Sequence, residues 1–201
     1  MSSPPSFPAG PLASRILQAV DPRLGPALKA ELARRAGEPP SVTVSPEARI
    51  ALVGHRASGK TSLLPLVAQL TGRPSFDLDR ELEAYHRRSL KDWVREDEPS
   101  FRRAERDRFL ALPKECVVAV GGGFLSLHAD LLEGQLPVLV PVTFETYRDR
   151  LLADKRRPRL RPELTPEQEI SEVFHAREAA HARVKTVPLV DFLLVFARGS
   201  R

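Results

Sequence analysis

The chain contains one cysteine, Cys116, among its 201 residues. A single thiol excludes an intrachain disulfide and any metal site built from several cysteines. Cys116 lies in the apolar stretch ECVVAV, which is typical of a buried strand. We therefore interpret it as a core thiol without a reactive role.

Long hydrophobic runs are also missing from the sequence. No apolar stretch reaches the roughly 18 residues that a membrane-spanning helix requires. The N-terminus has no cationic start followed by an apolar segment and a small-residue cleavage site, so it does not resemble a signal peptide. Together with the cysteine count, these features predict a cytoplasmic protein with no membrane partner.

The charges of the chain are not balanced, with 31 Lys and Arg against 26 Asp and Glu. The resulting net charge is +5. Basic chains can bind nucleic acid, but pockets for small anions are also positive. A length of 201 residues and a charged content of 28% suit one globular domain with a short appendage.

The N-terminal part of the chain differs in composition from the rest. Residues 1–10, MSSPPSFPAG, are small and proline-rich and predict a disordered start. Residues 11–37 repeat apolar side chains at helical spacing and predict two short helices, and EPPSVTVSPEA follows as a linker. We therefore divide the chain into an extension, residues 1–45, and a main domain, residues 46–201.

Two helices in a basic chain could form a DNA-binding helix-turn-helix. The extension is short for such a module and shows no cluster of base-reading residues. We favour a helical hairpin that packs on the main domain or on a partner, and we expect no nucleic-acid partner.

The main domain alternates apolar strands with amphipathic helices. The predicted strands are RIALVG, PSFDLD, CVVAV, LPVLVPV and VDFLLVFA. Helical spacing separates them, and residues 80–111 are predicted to be helical with an interruption at EDEPS. This alternation predicts an α/β fold of three layers, in which helices cover both faces of a parallel sheet.

The stretch GHRASGKT, from Gly54 to Thr61, matches the phosphate-loop pattern G-x-x-x-x-G-K-[ST] between a strand and a helix. In such loops the backbone N–H groups surround the phosphates, the lysine reaches the β- and γ-phosphates, and the hydroxyl ligates Mg²⁺. A turn that merely joins a strand to a helix would not require Lys60. The predicted nucleotide-binding residues are Gly54, His55, Arg56, Ala57, Ser58, Gly59, Lys60, Thr61 and Ser62.

Two carboxylates end the predicted second strand, Asp77 and Asp79 in DLD. Strands of an open α/β sheet end at the ligand crevice, and alternating side chains would point both carboxylates the same way. One could support a Mg²⁺ ion and the other could receive a hydroxyl proton. The alternative is that Asp79 only caps the next helix.

Three further stretches carry arginine or glycine in unusual density. FRRAE opens a helical segment, GGG follows the third predicted strand, and RRPRLRP lies between two helices. Three glycines leave room for a ligand to touch the backbone, and arginines on a loop can fold over a nucleotide. Each stretch has a simpler alternative: a solvated helix face, a flexible loop and a solvated linker.

The order of these motifs over residues 49–191 resembles the shikimate kinase family. Members of that family are small P-loop kinases with a five-stranded parallel sheet and a mobile lid. They transfer the ATP γ-phosphoryl group to the 3-hydroxyl of shikimate. The resemblance therefore implies a shikimate kinase that uses ATP and Mg²⁺ with shikimate as its substrate, and we expect a monomer.

The resemblance also implies roles for individual residues. Lys60 and the loop amides would hold the phosphates, and Thr61 would bind Mg²⁺ with Asp77 close to it. Asp79 would contact the shikimate hydroxyls and act as the base. Arg150 matches the arginine that stacks on adenine.

On the substrate side, Arg102 of FRRAE and Arg177 of HAREAAHAR would clamp the shikimate carboxylate. Arg157 of RPRL would be the lid arginine on the transferring phosphate and the third catalytic residue beside Lys60 and Asp79. The glycines expected to line the substrate site are Gly121, Gly122 and Gly123.

The chain departs from the family pattern at several places. Ala57 stands where the phosphate loop usually has another glycine, and we expect its small side chain to be tolerated. His181 stands where the helix usually carries a tyrosine, and we interpret it as a packing or surface residue. The N-terminal extension is not typical of the family, and the lid is richer in arginine.

Two other functions remain as alternatives. One is a related small-molecule kinase, such as a kinase for gluconate. The other is a sensor of aromatic acyl-CoA compounds within a transcription regulator, where a kinase-like domain no longer catalyses. The joint presence of Lys60, Asp79 and Arg157 favours an enzyme.

Overall fold

The computed structural model describes residues 10–154 and 160–197. The predicted disordered start, apart from Gly10, and the predicted lid arginine Arg157 lie outside these residues.

Five short parallel strands form one sheet in the order β2-β3-β1-β4-β5. The predicted five-stranded parallel sheet is therefore confirmed. The strands, numbered along the chain, are β1 Ile50–Val53, β2 Ser75–Asp77, β3 Val117–Ala119, β4 Leu136–Leu139 and β5 Val187–Pro188.

Helices flank the sheet, and a 3-10 turn covers Ala129–Leu132. Among the described residues, no helix is both long and apolar enough to cross a membrane. The predicted interruption at EDEPS is a kink inside α5, where Asp97 leaves helical geometry. The α-helices are α1 Gly10–Ala19, α2 Gly25–Arg35, α3 Lys60–Thr71, α4 Leu78–His86, α5 Leu90–Ala111, α6 Phe124–Leu127, α7 Phe144–Ala153, α8 Pro166–His181 and α9 Leu189–Ala197.

The central strand β1 is completely buried and supplies both faces of the core. Ile50 and Leu52 join an apolar cluster with residues of α1, α3 and α9. Ala51 and Val53 join a second cluster with residues of α4 and α5. Because side chains alternate along a strand, one four-residue segment anchors helices on both sides of the sheet.

The prediction that VDFLLVFA forms the last strand is wrong. The last strand is the two-residue β5, and the apolar run that follows is helix α9. A short continuous apolar run fits a buried strand and a buried helix equally well. The helix is apolar on several sides because the core cluster covers one face and α2 packs on another, where Arg35 pairs with Asp191 at 2.6 Å.

The two helices of the extension are part of the core. Ala13, Ile16, Leu17 and Val20 of this segment are at most 3% exposed and belong to the same cluster as β1. Helix α1 packs on α3, the helix that follows the phosphate loop. The extension therefore forms a hairpin packed on the main domain.

A buried carboxylate fastens this hairpin to α7. Asp21, which is fully buried, accepts hydrogen bonds from the Oγ1 atoms of Thr143 and Thr146, each at 2.7 Å. It also accepts from the backbone N–H groups of Thr143 and Arg23. Burial alone would raise the pKa of Asp21, but these hydrogen bonds outweigh it and hold the pKa below its usual value.

Replacing this carboxylate should destabilise the protein strongly. We expect Asp21→Ala to lower the free energy of unfolding by about 2–4 kcal/mol, because several buried donors lose their acceptor. Urea denaturation at neutral pH measures the change. Asp149→Ala is the control, since it removes only exposed ion pairs with Arg23 and Arg148 and should cost less than about 1 kcal/mol. Equal losses in the two variants would contradict this account.

Candidate active site

The phosphate loop connects β1 to α3, so the N-terminus of a 12-residue helix points at the site. Gly54 has φ +128°, and a Cβ there would lie 2.8 Å from the carbonyl oxygen of Val140. Only glycine fits this position without moving the end of β4. Ala57 is held in the left-handed region at φ +60°, which costs an alanine about 1 kcal/mol. The phosphate loop thus accommodates Ala57 in place of the usual glycine, with this small conformational strain.

Lys60, the first residue of α3, is buried and folds back into the loop. Its Nζ donates hydrogen bonds to the carbonyl oxygens of Gly54 at 3.0 Å and His55 at 2.6 Å. The ammonium group therefore lies at the centre of the loop, beside the backbone N–H groups at the start of α3. Loop, ammonium and helix terminus together make a positive receptor for phosphate.

The acidic pair does not have the predicted alternating geometry. Strand β2 ends at Asp77, and Asp79 lies in the first turn of α4. The helix-capping role considered for Asp79 belongs to Asp77, whose side chain accepts from the backbone N–H of Arg80. The chain turns helical at Leu78 because Asp77 supplies the cap.

The two carboxylates nevertheless take up different positions in one cavity. The Thr61 hydroxyl donates to Oδ2 of Asp77 at 2.8 Å, next to Lys60. A hydroxyl and a carboxylate are the hard oxygen ligands that Mg²⁺ prefers, so this pair fits the ion. Oδ1 of Asp79 lies instead beside the glycine run, 3.2 Å from where a Cβ on Gly121 would stand.

The environment of Asp79 raises the affinity of its carboxylate for a proton. Burial raises the pKa of its carboxyl to about 6, and the negative charges of Glu105 and Asp77 add to the effect. The group is ionised at neutral pH, yet its pKa lies close enough to take up a proton during a reaction.

Two arginines converge over the third glycine of the run. The guanidinium groups of Arg102 and Arg177 come within 3.8 Å and 3.5 Å of the position of a Cβ on Gly123. Nη1 of Arg177 is buried and finds no hydrogen-bond acceptor among the described residues. Burial also lowers the pKa of Arg177. Two half-buried guanidinium groups, one of them with a buried and unused donor, form a receptor for a planar anion such as a carboxylate.

These groups line two adjoining cavities. The first, of about 810 Å³, is bounded by the phosphate loop, both carboxylates, Gly121 and Gly122. The second, of about 510 Å³, contains Gly123 and both converging arginines. Because consecutive glycines belong to the two cavities, a phosphate held at the loop and an anion held by the arginines would be neighbours.

Comparisons with known proteins identify the family of this chain. The family model "Shikimate kinase" matches residues 56–190. The chain is 36% identical over 151 residues to the shikimate kinase of Salinibacter ruber, which covers 66% of this chain and 74% of that protein. It is 33% identical over 144 residues to the shikimate kinase of Persephonella marina, covering 67% and 84%. The chain belongs to the shikimate kinase family.

Solved structures of this family share the fold. The structure of shikimate kinase from Acinetobacter baumannii in complex with shikimate has a TM-score of 0.61 and 26% identity, covering 74% of this chain and 89% of that one. For shikimate kinase from Aquifex aeolicus the TM-score is 0.60 at 23% identity, with coverage of 75% and 96%, and this likeness concerns the fold alone. The family match begins at residue 56, so the N-terminal hairpin lies outside it.

Sequence analysis missed Glu105 as a site residue of this kinase fold. Its carboxylate is fully buried and accepts hydrogen bonds from Arg102 at 3.0 Å and from His128 at 3.2 Å. It therefore positions Arg102, and its charge raises the pKa of Asp79. The spacing of three residues between Arg102 and Glu105 on a helix could have indicated the pair.

The sequence carried no signal for the contact of the extension with the nucleotide cavity. Arg150, on α7, donates hydrogen bonds to the carbonyl oxygens of Ala57 at 2.7 Å and Val20 at 3.1 Å. Ala19, at the end of α1, lines the same cavity. Arg150, the arginine predicted to stack on adenine, thus joins the phosphate loop to the N-terminal hairpin. Its partner Val20 is 130 residues away in the sequence.

The glycine run should not tolerate a side chain at its centre. A Cβ on Gly122 would lie 2.5 Å from the backbone nitrogen of Arg56 and 2.9 Å from its Cα. We expect Gly122→Ala to displace the phosphate loop and weaken ATP binding about tenfold or more, as measured by calorimetric titration. Gly37→Ala is the control, because nothing lies within 4 Å of its added Cβ. Unchanged ATP affinity in Gly122→Ala would show that the loop does not depend on this contact.

Because the pKa of Asp79 is raised, replacing this carboxyl should increase the free energy of unfolding by an amount that depends on pH. A pKa moved from 3.8 to about 6 favours folding below about pH 4, and this contribution is lost as the pH rises through 6. We expect Asp79→Asn to raise the free energy of unfolding by about 1–2 kcal/mol at pH 7.5, less than the full linkage because the side chain is partly exposed.

At pH 4 the gain should shrink to a few tenths of a kcal/mol, because the folded carboxyl of Asp79 is then protonated and the unfolded one is close to half protonated. Denaturant titrations at the two pH values measure the difference. Asp107→Asn, at an exposed position of α5, is the control and should change little at either pH. A gain of the same size at both pH values would rule out the buried carboxyl as its cause.

Proposed function

We propose that this chain is a working shikimate kinase, which transfers the γ-phosphoryl group of ATP to the 3-hydroxyl of shikimate. The single observation that carries the proposal is that Asp79 shares one cavity with the phosphate loop, while the adjoining cavity holds Arg102 and Arg177. A kinase that phosphorylates a small hydroxylated carboxylic acid needs a phosphate receptor, a proton acceptor and a carboxylate receptor. All three must lie close enough for one substrate molecule to reach them.

The nucleotide side of the site is the phosphate loop. We propose that the loop from Gly54 to Ser62, with Lys60 and the start of α3, binds the phosphates of ATP. Thr61 and Asp77 would hold Mg²⁺, which when bound neutralises charge on the β- and γ-phosphates. We propose further that Arg150, already at the wall of the cavity, stacks on adenine.

The acceptor side is the second cavity. Shikimate is a small, rigid anion, and Arg102 and Arg177 would bind its carboxylate with paired hydrogen bonds. The unused Nη1 donor of Arg177 supports this role, because a bound carboxylate would satisfy it. Gly121, Gly122 and Gly123 would let the ring lie directly against the backbone.

Proton transfer falls to Asp79. As the 3-hydroxyl oxygen forms its bond to the γ-phosphorus, the bond from that phosphorus to the β-phosphate oxygen breaks and ADP leaves. The hydroxyl proton passes to the Asp79 carboxylate, whose raised pKa favours its uptake. We propose that Arg157, in the lid, neutralises charge on the phosphoryl group in flight.

The remaining expectations belong to the same proposal. We propose that the protein acts as a monomer in the cytoplasm and binds neither nucleic acid nor membrane. The packing of the N-terminal hairpin supports the monomer, because the apolar residues of the hairpin are buried against the rest of the same chain.

A coupled ADP-release assay tests the proposal. With ATP and Mg²⁺, we expect ADP formation to depend on shikimate and to collapse in Asp79→Asn. We expect Arg177→Met to lower kcat/KM for shikimate about 100-fold or more, mainly through KM, because it removes a charged contact to the carboxylate.

Arg183→Met is the matched control, because this exposed arginine lies just beyond the end of the same helix. It should leave both parameters close to those of the unchanged chain. ATP binding without any shikimate-dependent ADP release would show that the acceptor is another compound. An Arg177→Met variant with unchanged KM would remove the carboxylate role from this arginine.

A further inference from the structure

A second polar cluster joins the phosphate loop to α8 and contains none of the three residues assigned to catalysis. His55 belongs to the loop, and Glu178 and His181 belong to α8. Residues three apart on a helix share a face, so the sequence EAAH directs its carboxylate and its imidazole toward the same neighbour. That neighbour is His55.

The three side chains are close enough to share one ligand. Nε2 of His55 lies 2.7 Å from Oε1 of Glu178, and the rings of His55 and His181 have centroids 4.7 Å apart. One donor atom from each of the three residues can be chosen so that all lie within 4.8 Å of one another. His55 and His181 are 3% and 7% exposed, whereas the Glu178 side chain is 56% exposed and leaves a path from solvent.

The cluster has unused hydrogen-bonding capacity. Among the described residues, neither ring nitrogen of His181 has a hydrogen-bond partner, and Nδ1 of His55 has none. Buried polar atoms without partners cost about 1–3 kcal/mol each, so a protein keeps them where something binds. His181 is buried, as expected of a packing residue, and both of its ring nitrogens remain available to a ligand.

The surroundings keep both imidazoles in the form that binds metals. Phe174 stacks on His55 with centroids 4.3 Å apart, and Tyr147 meets it edge-on at 5.5 Å. Burial lowers the pKa of His55, and burial together with His55 lowers the pKa of His181 to about 4. A bound ion would replace the proton that Nε2 of His55 and Oε1 of Glu178 now share.

We propose that His55, Glu178 and His181 bind a divalent transition-metal ion of the Zn²⁺ type. Two imidazoles and one carboxylate are a common ligand set for Zn²⁺, with water as the fourth ligand. Metal–ligand bonds of about 2.0–2.1 Å place ligand atoms about 3.3 Å apart. The pair of Nε2 of His55 and Oε1 of Glu178, now 2.7 Å apart, must therefore open by about 0.6 Å, and separations of up to 4.8 Å must close by as much as about 1.5 Å. Nitrogen ligands select against Mg²⁺, so this site is distinct from the pair Thr61 and Asp77.

The metal would connect the two halves of the active site. His55 is part of the loop that receives phosphate, and Glu178 directly follows Arg177, whose guanidinium group lines the second cavity. An ion bound to all three residues bridges the phosphate loop to α8. Binding of the ion does not depend on the proposed reaction and can be measured without ATP or shikimate.

The test uses the full chain after removal of metals with a chelator. Zn²⁺ is titrated in competition with a chromogenic chelator, and Co²⁺ is added separately to record visible absorption bands of a four-coordinate ion. We expect one Zn²⁺ per chain with micromolar or tighter affinity. We also expect saturating Zn²⁺ to raise the Tm, because the ion binds only the folded site.

Two variants remove ligands with little change in shape. We expect Glu178→Gln and His181→Phe each to weaken Zn²⁺ binding about tenfold or more and to abolish the Co²⁺ bands. His175→Ala is the matched control, because it removes an exposed imidazole from the same helix outside the cluster. Thermal unfolding without Zn²⁺ checks that each variant folds, and the exposure of Glu178 makes Glu178→Gln the safer of the two.

Each outcome of the Zn²⁺ titrations either supports or overturns the metal site. Stoichiometric binding by the unchanged chain and by His175→Ala, lost in both ligand variants, supports the site. Absence of stoichiometric Zn²⁺ binding to the unchanged chain overturns it and leaves His55 and Glu178 as a simple hydrogen-bonded pair. Unchanged affinity in either ligand variant overturns it as well, because the ion would then bind elsewhere.

Discussion

The close approach of two backbones organises this protein. Gly122 lies so near the nitrogen of Arg56 that no side chain fits between the glycine run and the phosphate loop. One segment follows β3 and the other follows β1, and these strands are neighbours in the sheet. Parallel pairing therefore brings a phosphate receptor and an anion receptor to the same edge, as expected where ligands bind outside the carboxyl ends of strands.

Buried charge is the cost of that arrangement. Asp79 and Glu105 lie close together beside Gly121, and Arg102 and Arg177 converge on Gly123. Each carboxylate raises the energy of the other, and the Arg177 guanidinium keeps a buried donor unused. A ligand with a carboxylate would pair with the unused arginine donor, and a ligand hydroxyl could donate to the carboxylates. The buried charges that destabilise the empty site are therefore the same groups that would select the ligand.

The N-terminal hairpin adds a wall that the family match does not include. Asp21 ties it to the start of α7, and Arg150 on that helix reaches both Val20 and Ala57. Hydrogen bonds to α7 and apolar packing on α3 therefore both hold the hairpin against the nucleotide cavity. Its position beside the loop explains how an extension can become part of a kinase core rather than a separate module.

Local chemistry was available from the sequence by itself: the phosphate loop, the strand–helix alternation and the arginines of the site, since each depends on neighbouring residues. The last apolar run and the place of Asp79 were mistaken, because short runs do not distinguish helix from strand and because a cap at Asp77 ended β2 early. Only the tertiary structure decided that Glu105 supports Arg102 and Asp79, that Ala19 borders the nucleotide cavity, and that His55 meets α8. These contacts depend on burial and on chain segments far apart in sequence, which no local pattern records.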